Sequence, residues 1–534
     1  MNVKTNLISF MLLALLLASC APASPQAVVK TVAVEKKVVQ EVVRTVEVAA
    51  PAQWTPTARP PASEPPAPYR QPIEPQPTPA GNYFRDYGVN PFIDAYEDHL
   101  STFAMDVDTA AYAVARSYVM DGSLPPSEAV RVEEFVNYFD LGYPTPEDIA
   151  FGIYADGAPS PFHFDGTTIL RIGIQGYRVP EWQRKPASLT FVIDVSGSMN
   201  LENRLELVKR SLQLLVDRLR PEDSVAIVVY GSTARIALHP VSGQERETIL
   251  EAIYSLSPEG STNAEAGIRL GYELAMQAYR PGATNRVILC SDGVANVGQT
   301  GPEAILAEIR GYVQEGITLT SVGFGMGNFN DVLMEQLADN GNGNYAYVDD
   351  LDEARKLFVD DLTSTLEVIA LDAKIQVDFN TEVVSYYRLL GYENREIADQ
   401  DFRDDSVDAG EIGAGHSVTA LYAVYFNQGA QGRIATVQMR WKDPQTYQVR
   451  EINGNINTWD LEASFEATSP HYRLAVLAAF YAEVLRDSPW IEGLSLGELY
   501  NWSANLPAEI PWDSEVAEFV ELLWRASQIR GYGQ

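Results

Sequence analysis

Asp194-Val195-Ser196-Gly197-Ser198 places one carboxylate and two hydroxyls on a single short stretch. Oxygen donors of this kind suit a hard divalent cation, Mg²⁺ first, with Mn²⁺ and Ca²⁺ as alternatives. Two more donors stand far away in the chain: Thr262, in Glu259-Gly260-Ser261-Thr262-Asn263, and Asp292, just after Cys290-Ser291. Of these donors only Asp194 and Asp292 are anionic. An ion so held stays coordinatively unsaturated and electrophilic, and the natural group to complete it is an Asp or Glu carboxylate of a protein partner. Gly197 is expected to let the backbone turn tightly. No Lys, His or Cys stands beside the serines to activate one, so Ser196 and Ser198 read as ligands and not as nucleophiles.

Residues so far apart meet only if the elements between them bring them together. Leu189 to Ile193 reads as a strand that ends on Asp194, and Arg286 to Cys290 as a strand that ends just before Asp292. Leu205, Val208, Leu212, Leu215, Val216 and Leu219 have helical spacing. Val225 to Tyr230, Thr318 to Val322 and Tyr345 to Val348 are further strands, with Ala234 to Leu238 as a short edge strand. Helices are predicted over about 245–255, 264–278, 302–314, 331–338 and 351–368. This alternation predicts a doubly wound, mostly parallel α/β sheet covered on both faces. Ligands then gather beyond the carboxyl ends of its strands, where Asp194, Thr262 and Asp292 all project.

The flanks read differently. Asp108 is placed to cap a helix from Thr109 to Met120, and Pro125-Pro126-Ser127 opens a second helix with Val132, Phe135, Val136 and Phe139 on one face. After Leu371 the runs Lys374 to Phe379, Val383 to Leu390, His416 to Phe426 and Arg433 to Trp441 alternate like antiparallel strands. Helices return at about 472–486 and 514–528. The expected organisation is a small helical N-terminal flank over 82–164, the α/β domain over 165–370 and a β-rich plus helical region over 371–534.

The chain has 534 residues, a net charge of −33 and 46% hydrophobic residues. The charge argues against nucleic acid as a partner, since phosphate backbones need a basic face. The apolar run from Leu7 to Ala18 reads as the core of a signal peptide over 1–19. Leu17-Ala18-Ser19-Cys20 resembles a bacterial lipobox, with Cys20 as the lipidated residue and a membrane as the place of attachment. The Pro- and Val-rich segment 20–81 reads as a tether, its proline-rich part semi-rigid. Together these predict an extracytoplasmic lipoprotein of the cell envelope. Cys290, inside an apolar run, reads as a core residue.

Asp194, Ser196, Ser198, Thr262 and Asp292 resemble the metal-ion-dependent adhesion site of the von Willebrand factor type A family, written Asp-x-Ser-x-Ser with a distant Thr and Asp. The resemblance covers about Ser188 to Val368. It implies that the three hydroxyls ligate directly, that the aspartates often act through water, and that the module binds a protein partner rather than catalysing a reaction. The flanks are similar to those of a group of bacterial type A domain lipoproteins. The similarity rests on Asn90-Pro91-Phe92, on the stretches Ser101 to Thr109 and Arg131 to Phe139, on Gly391-Tyr392-Glu393-Asn394-Arg395 and on the stretch Asp408 to Ser417. That group's C-terminal domain has no established function.

A competing expectation is a metal-dependent hydrolase. Asp106-Val107-Asp108-Thr109 matches the nucleophile motif of haloacid-dehalogenase-like phosphatases, with Asp106 and Asp108 as the candidate residues. Against it, the stretch before Asp106 is short and only partly apolar, and no βαβ pattern follows. Gly415-His416-Ser417 lacks the final glycine of a lipase elbow, and Gly323-Phe324-Gly325-Met326-Gly327 lacks the spacing of a dinucleotide loop. The pairs Asp349-Asp350, Asp360-Asp361 and Asp404-Asp405 could hold calcium, with solvated surface as the preferred account.

Overall fold

The strands build one mostly parallel sheet and two antiparallel ones. The computed structural model describes residues 81–147, 149–162, 166–293, 302–327 and 329–532. The expected signal segment, Cys20 and most of the tether lie outside the described residues. β1 (Ile93–Asp94) and β2 (Leu100–Ala104) come first, followed by the helices Ala110–Met120 and Val132–Asn137 and the hairpin of β3 (Phe151–Pro159) and β4 (Thr168–Gly176). β5 (Ala187–Asp194), β6 (Ser224–Tyr230), β7 (Ala234–Ser242), β8 (Thr284–Ser291), β9 (Ile317–Phe324) and β10 (Tyr345–Val348) follow, with helices in every connection but the short one from β6 to β7. Then come β11 (Val368–Phe379), β12 (Val384–Leu390), β13 (Gly410–Gly413), β14 (Ser417–Phe426), β15 (Arg433–Lys442) and β16 (Val449–Asn457). Helices that include Pro470–Leu485 and Ser514–Tyr532 end the fold.

The central sheet has the order β10-β9-β8-β5-β6-β7. Its first five strands are parallel, and β7 is an antiparallel edge. β5 is buried along its whole length, as a strand covered on both faces must be. One face packs Val192, Val228 and Leu289 under the helix Ala264–Gln277, with Ala113 and Val114 of the N-terminal flank in the same core. The other face packs Ile193, Val229 and Ile288 under Leu205, Leu212 and Leu215. The helix expected over 351–368 is broken. It runs Leu351–Arg355, widens through Lys356–Asp360, resumes at Leu362–Leu366 and gives way to β11 at Val368. The β-branched Thr363, Thr365 and Val368 weaken helix and favour strand there.

The flanks are not successive along the chain. β2 pairs with β11, β1 with β12, and β4 with both β3 and β14, all antiparallel. Residues of the expected N-terminal region thus complete the sheets of the C-terminal one. β4, which falls within 165–370, belongs to the order β1-β12-β14-β4-β3 and not to the central sheet. The N-terminal flank therefore contributes strands as well as helices. The apolar alternation of Thr168–Gly176 makes a strand, but alternation alone does not name the strand it pairs with. Among the described residues no helix is long and apolar enough to cross a membrane.

Candidate metal centre at the rim of the central sheet

β5 ends on Asp194, and Asp292 follows the last residue of its parallel neighbour β8. The two aspartates therefore stand at the carboxyl ends of adjacent strands. Asp194 is fully buried. Its Oδ1 accepts the backbone N–H of Ser196 at 2.7 Å, and its Oδ2 accepts the Ser291 hydroxyl at 3.0 Å. The first bond curls the chain so that Ser196 Oγ lies 3.0 Å from Ser198 Oγ. That is about the separation of neighbouring ligands around a Mg²⁺ whose oxygens sit about 2.1 Å away.

Backbone bonds bring up the loop that carries Thr262. Glu259 N donates to Val195 O at 2.5 Å, and Gly197 N donates to Gly260 O at 3.1 Å. Gly260 has φ +72°, and a Cβ there would lie 2.3 Å from Ser232 Oγ, so this position requires glycine. Thr262, half-buried, precedes the helix Ala264–Gln277, which Asn263 caps by accepting Ala266 N. The expectation for Gly197 does not hold in the same way. Its φ stays outside the left-handed region, and a Cβ would make only an ordinary 3.4 Å contact with Gly260 O. The left-handed residues of this loop are Glu202 and Asn203.

Asp292 has a partner that the motif does not contain. Arg204 Nη1 donates to its Oδ2 at 2.9 Å, and both side chains are only 4% exposed. The guanidinium is held in place by the Met326 carbonyl and by Glu202 Oε2. Burial pushes the Asp194 carboxyl up to about 6. The Ser196 and Ser291 bonds oppose that rise, and the charge of Asp292 adds to it. Tyr230, buried beside Asp194, has its hydroxyl pushed well up by burial first and by the Asp194 charge next. A buried carboxylate that ionises at a cost, beside two hydroxyls at ligand spacing, fits a hard cation. Ser291, Arg204 and Tyr230 were not singled out from the sequence. Ser291 was signalled by its place between the strand and Asp292, but nothing local links Arg204 to a residue so far along the chain.

Asp106 and Asp108 stand elsewhere, where the flanks meet the helix Asp331–Asn340. Arg395 Nε donates to Asp106 Oδ2 at 2.9 Å, and its Nη2 reaches Asp108 Oδ2 at 3.4 Å and Glu335 Oε1 at 3.0 Å. Its Nη1 reaches Asp339 Oδ1 at 3.0 Å. Asp108 Oδ1 accepts the N–H of Tyr345 on the edge strand β10, so it closes an edge that would otherwise be free to pair. Asp108 therefore does not cap the helix Ala110–Met120. Glu134 supplies that contact, its Oε2 accepting Ala111 N at 2.7 Å. A nucleophilic aspartate must face substrate, whereas both of these are buried and committed to Arg395. The hydrolase expectation built on them has no geometric support.

The remaining candidates also have structural partners. Asp349 pairs with Arg116, Asp350 caps the helix Leu351–Arg355, and Asp405 pairs with Arg440. Ser417 is the first residue of β14. Cys290 is a free, fully buried thiol pushed far up by its burial.

A family model described as von Willebrand factor type A domain matches residues 188–360, and one described as von Willebrand factor matches residues 78–171. A third, described as the C-terminal part of the uncharacterized protein YfbK, matches residues 364–433 and 427–529. The chain is 34% identical over 478 residues to the uncharacterized protein YfbK of Escherichia coli (strain K12), spanning 84% of this chain and 82% of that protein. It is 25% identical over 291 residues to the uncharacterized protein sll0103 of Synechocystis sp., spanning 53% of this chain and 68% of that protein. Among solved structures, a von Willebrand factor type A protein from Catenulispora acidiphila superposes with a TM-score of 0.42 at 16% identity, covering 67% of this chain and 87% of that one.

Proposed function

This chain belongs to the family of Escherichia coli YfbK, with a von Willebrand factor type A domain and a YfbK-type C-terminal region, and we propose that it is a metal-ion-dependent protein-binding module of a cell-envelope lipoprotein. The observation that carries this reading is the meeting of Asp194, Ser196 and Ser198 with Asp292 and the Thr262 loop at one rim of the central sheet. Asp194, Ser196, Ser198, Thr262 and Asp292 would hold the ion, Mg²⁺ by preference, with Mn²⁺ and Ca²⁺ as alternatives. When bound, the cation supplies an electrophilic coordination position that takes a carboxylate. Arg204 sharpens the argument. It offsets part of the charge of the two aspartates, with the exposed Glu202 sharing the same guanidinium, so the two anionic ligands do not fully neutralise a divalent ion. That balance leaves the rim attractive to an Asp or Glu of a partner. Gly197 is exposed and Ser198 and Thr262 are half-buried, so the ligand would approach on their side. Lipid on Cys20 and the segment 20–81 would hold the module off a membrane, outside the cytoplasm.

Capture of a partner from an envelope extract tests the reading. It is expected in Mg²⁺, and it should be lost in EDTA and in a folded Asp194→Ala protein. Capture that persists unchanged in EDTA overturns metal-dependent binding. A mature protein without diacylglycerol on Cys20, or one that stays membrane-bound as Cys20→Ala, overturns the anchor.

A further inference from the structure

The flank sheet carries a second set of hard oxygen donors, remote in sequence from the rim. Asp372 lies on β11 in an irregularity between the pairs Ala370↔Ile412 and Ala373↔Gly410, with φ +50°. Asp408 is exposed in the loop before β13, and Glu411 lies on β13 itself. One carboxylate oxygen from each lies within 4.8 Å of the other two. Two oxygens on opposite sides of a Ca²⁺ are about 4.6–5.2 Å apart, because each sits about 2.3–2.6 Å from the ion.

The surrounding charges do not account for this arrangement. Lys442 Nζ donates to Asp372 Oδ2. The Arg286 and Lys374 cations also lie close to the cluster: the Arg286 guanidinium is spent on the Thr318 and Thr320 hydroxyls and the Thr365 carbonyl, and Lys374 Nζ on the Asp401 and Asp404 carbonyls. Asp339 adds negative potential. The Glu411 side chain is buried, and its Oε1 has neither solvent access nor a hydrogen-bond partner. A desolvated carboxylate oxygen without a donor is unfavourable unless a cation or a proton meets it. Burial, followed by the charges of Asp408 and Asp372, pushes the Glu411 carboxyl well up. Around Arg395 the guanidinium makes direct bonds to four acids; here one ammonium bonds one of three.

We infer that Asp372, Asp408 and Glu411 bind a hard divalent cation of the calcium type. Three carboxylates offer up to six oxygens, a set that suits the larger and less directional shell of Ca²⁺ better than the small octahedron of Mg²⁺. Exposed Asp408 gives the ion a way in and leaves room for water ligands. The ion would tie the β11 irregularity to the loop and to β13.

The test is made in full-length Asp194→Ala protein, in which the rim is silenced, so its outcome is independent of the adhesion reading. After EDTA treatment and dialysis, calorimetric titration with CaCl₂ should give one site per chain, and saturating Ca²⁺ should raise the Tm by several degrees. Asp408→Asn, at an exposed position, should weaken Ca²⁺ at least tenfold. Glu411→Gln should abolish the site while the far-ultraviolet spectrum stays unchanged; if that variant does not fold, Asp408→Asn decides. Absence of a calcium response in the Asp194→Ala parent, or a response unchanged by Asp408→Asn, overturns the site. A Glu411→Gln protein that is stabilised, beside a parent that ignores Ca²⁺, assigns the cluster to a shared proton instead.

Discussion

The rim of the central sheet and the junction beneath the flanks use the same residue types to opposite ends. At the rim, Asp194 faces hydroxyls and backbone amides, and Asp292 faces one arginine. At the junction, Asp106, Asp108, Glu134, Asp331, Glu335 and Asp339 surround the guanidinium groups of Arg131 and Arg395. The junction has its cations built in and acts as a rivet: Arg395 comes from the C-terminal region, Asp106 and Asp108 from the N-terminal flank, and Glu335 and Asp339 from a helix of the central domain. The stretch Gly391 to Arg395 is the pin of that rivet. Tyr392 N donates to Glu133, Glu393 pairs with Arg486, and Asn394 donates to Glu335. Buried acids that share an arginine fork are structural contacts, whereas at the rim Asp194 meets a hydroxyl and a backbone amide and Asp292 bonds a single arginine through Oδ2.

Removing the fork should have the largest effect. Arg395→Ala leaves Asp106, Asp108, Glu335 and Asp339 without their shared hydrogen-bond donor, and stability should fall by about 3–5 kcal/mol in urea unfolding. A loss under about 1 kcal/mol would mean that the junction is no rivet. At the rim, Asp194→Ala should keep the fold and remove a metal-linked gain. Wild-type protein with Mg²⁺ at a hundredfold excess over its Kd should gain about 2.7 kcal/mol, and the variant none. A full magnesium shift in the variant would remove Asp194 from the site.

The pH dependence separates the two regions further. Burial raises Glu335 from the usual carboxylate range to about 8, against the pull of Arg131 and Arg395. The folded state then binds the proton more tightly than the unfolded chain does. The stability this group contributes is complete below about pH 4.5 and is lost as pH rises toward 8. Glu335→Gln should flatten that decline, so that its stability relative to wild type is greater above about pH 7 than below about pH 5. An unchanged pH profile would show that Glu335 is ionised throughout. The smallest effect is expected for Asp108→Asn. The amide oxygen still accepts Tyr345 N, and burial already holds the Asp108 carboxyl well above its usual range, so thermal unfolding should move by less than about 1 kcal/mol. A large loss would make the charge of Asp108, rather than its acceptor, the part that matters.

Much of this was legible in local pattern. The alternation of apolar runs and amphipathic helices from Leu189 to Val348 determined a parallel sheet, because a strand covered on both faces is apolar throughout and a helix covered on one face is apolar every third or fourth residue. The placing of Asp194 and Asp292 at strand ends followed from the same pattern. What only the tertiary structure decided was which residues oppose one another across long separations. Arg204 on Asp292, Arg395 on Asp106 and Asp108, β4 beside β14, and Glu411 beside Asp372 all join residues that no spacing rule connects. Periodicity reports which face of an element is buried, and it is silent about what that face meets. Whether an aspartate binds a cation or an arginine depends on that meeting, so the chemistry at the rim was readable as a motif while its charge balance was set by the fold.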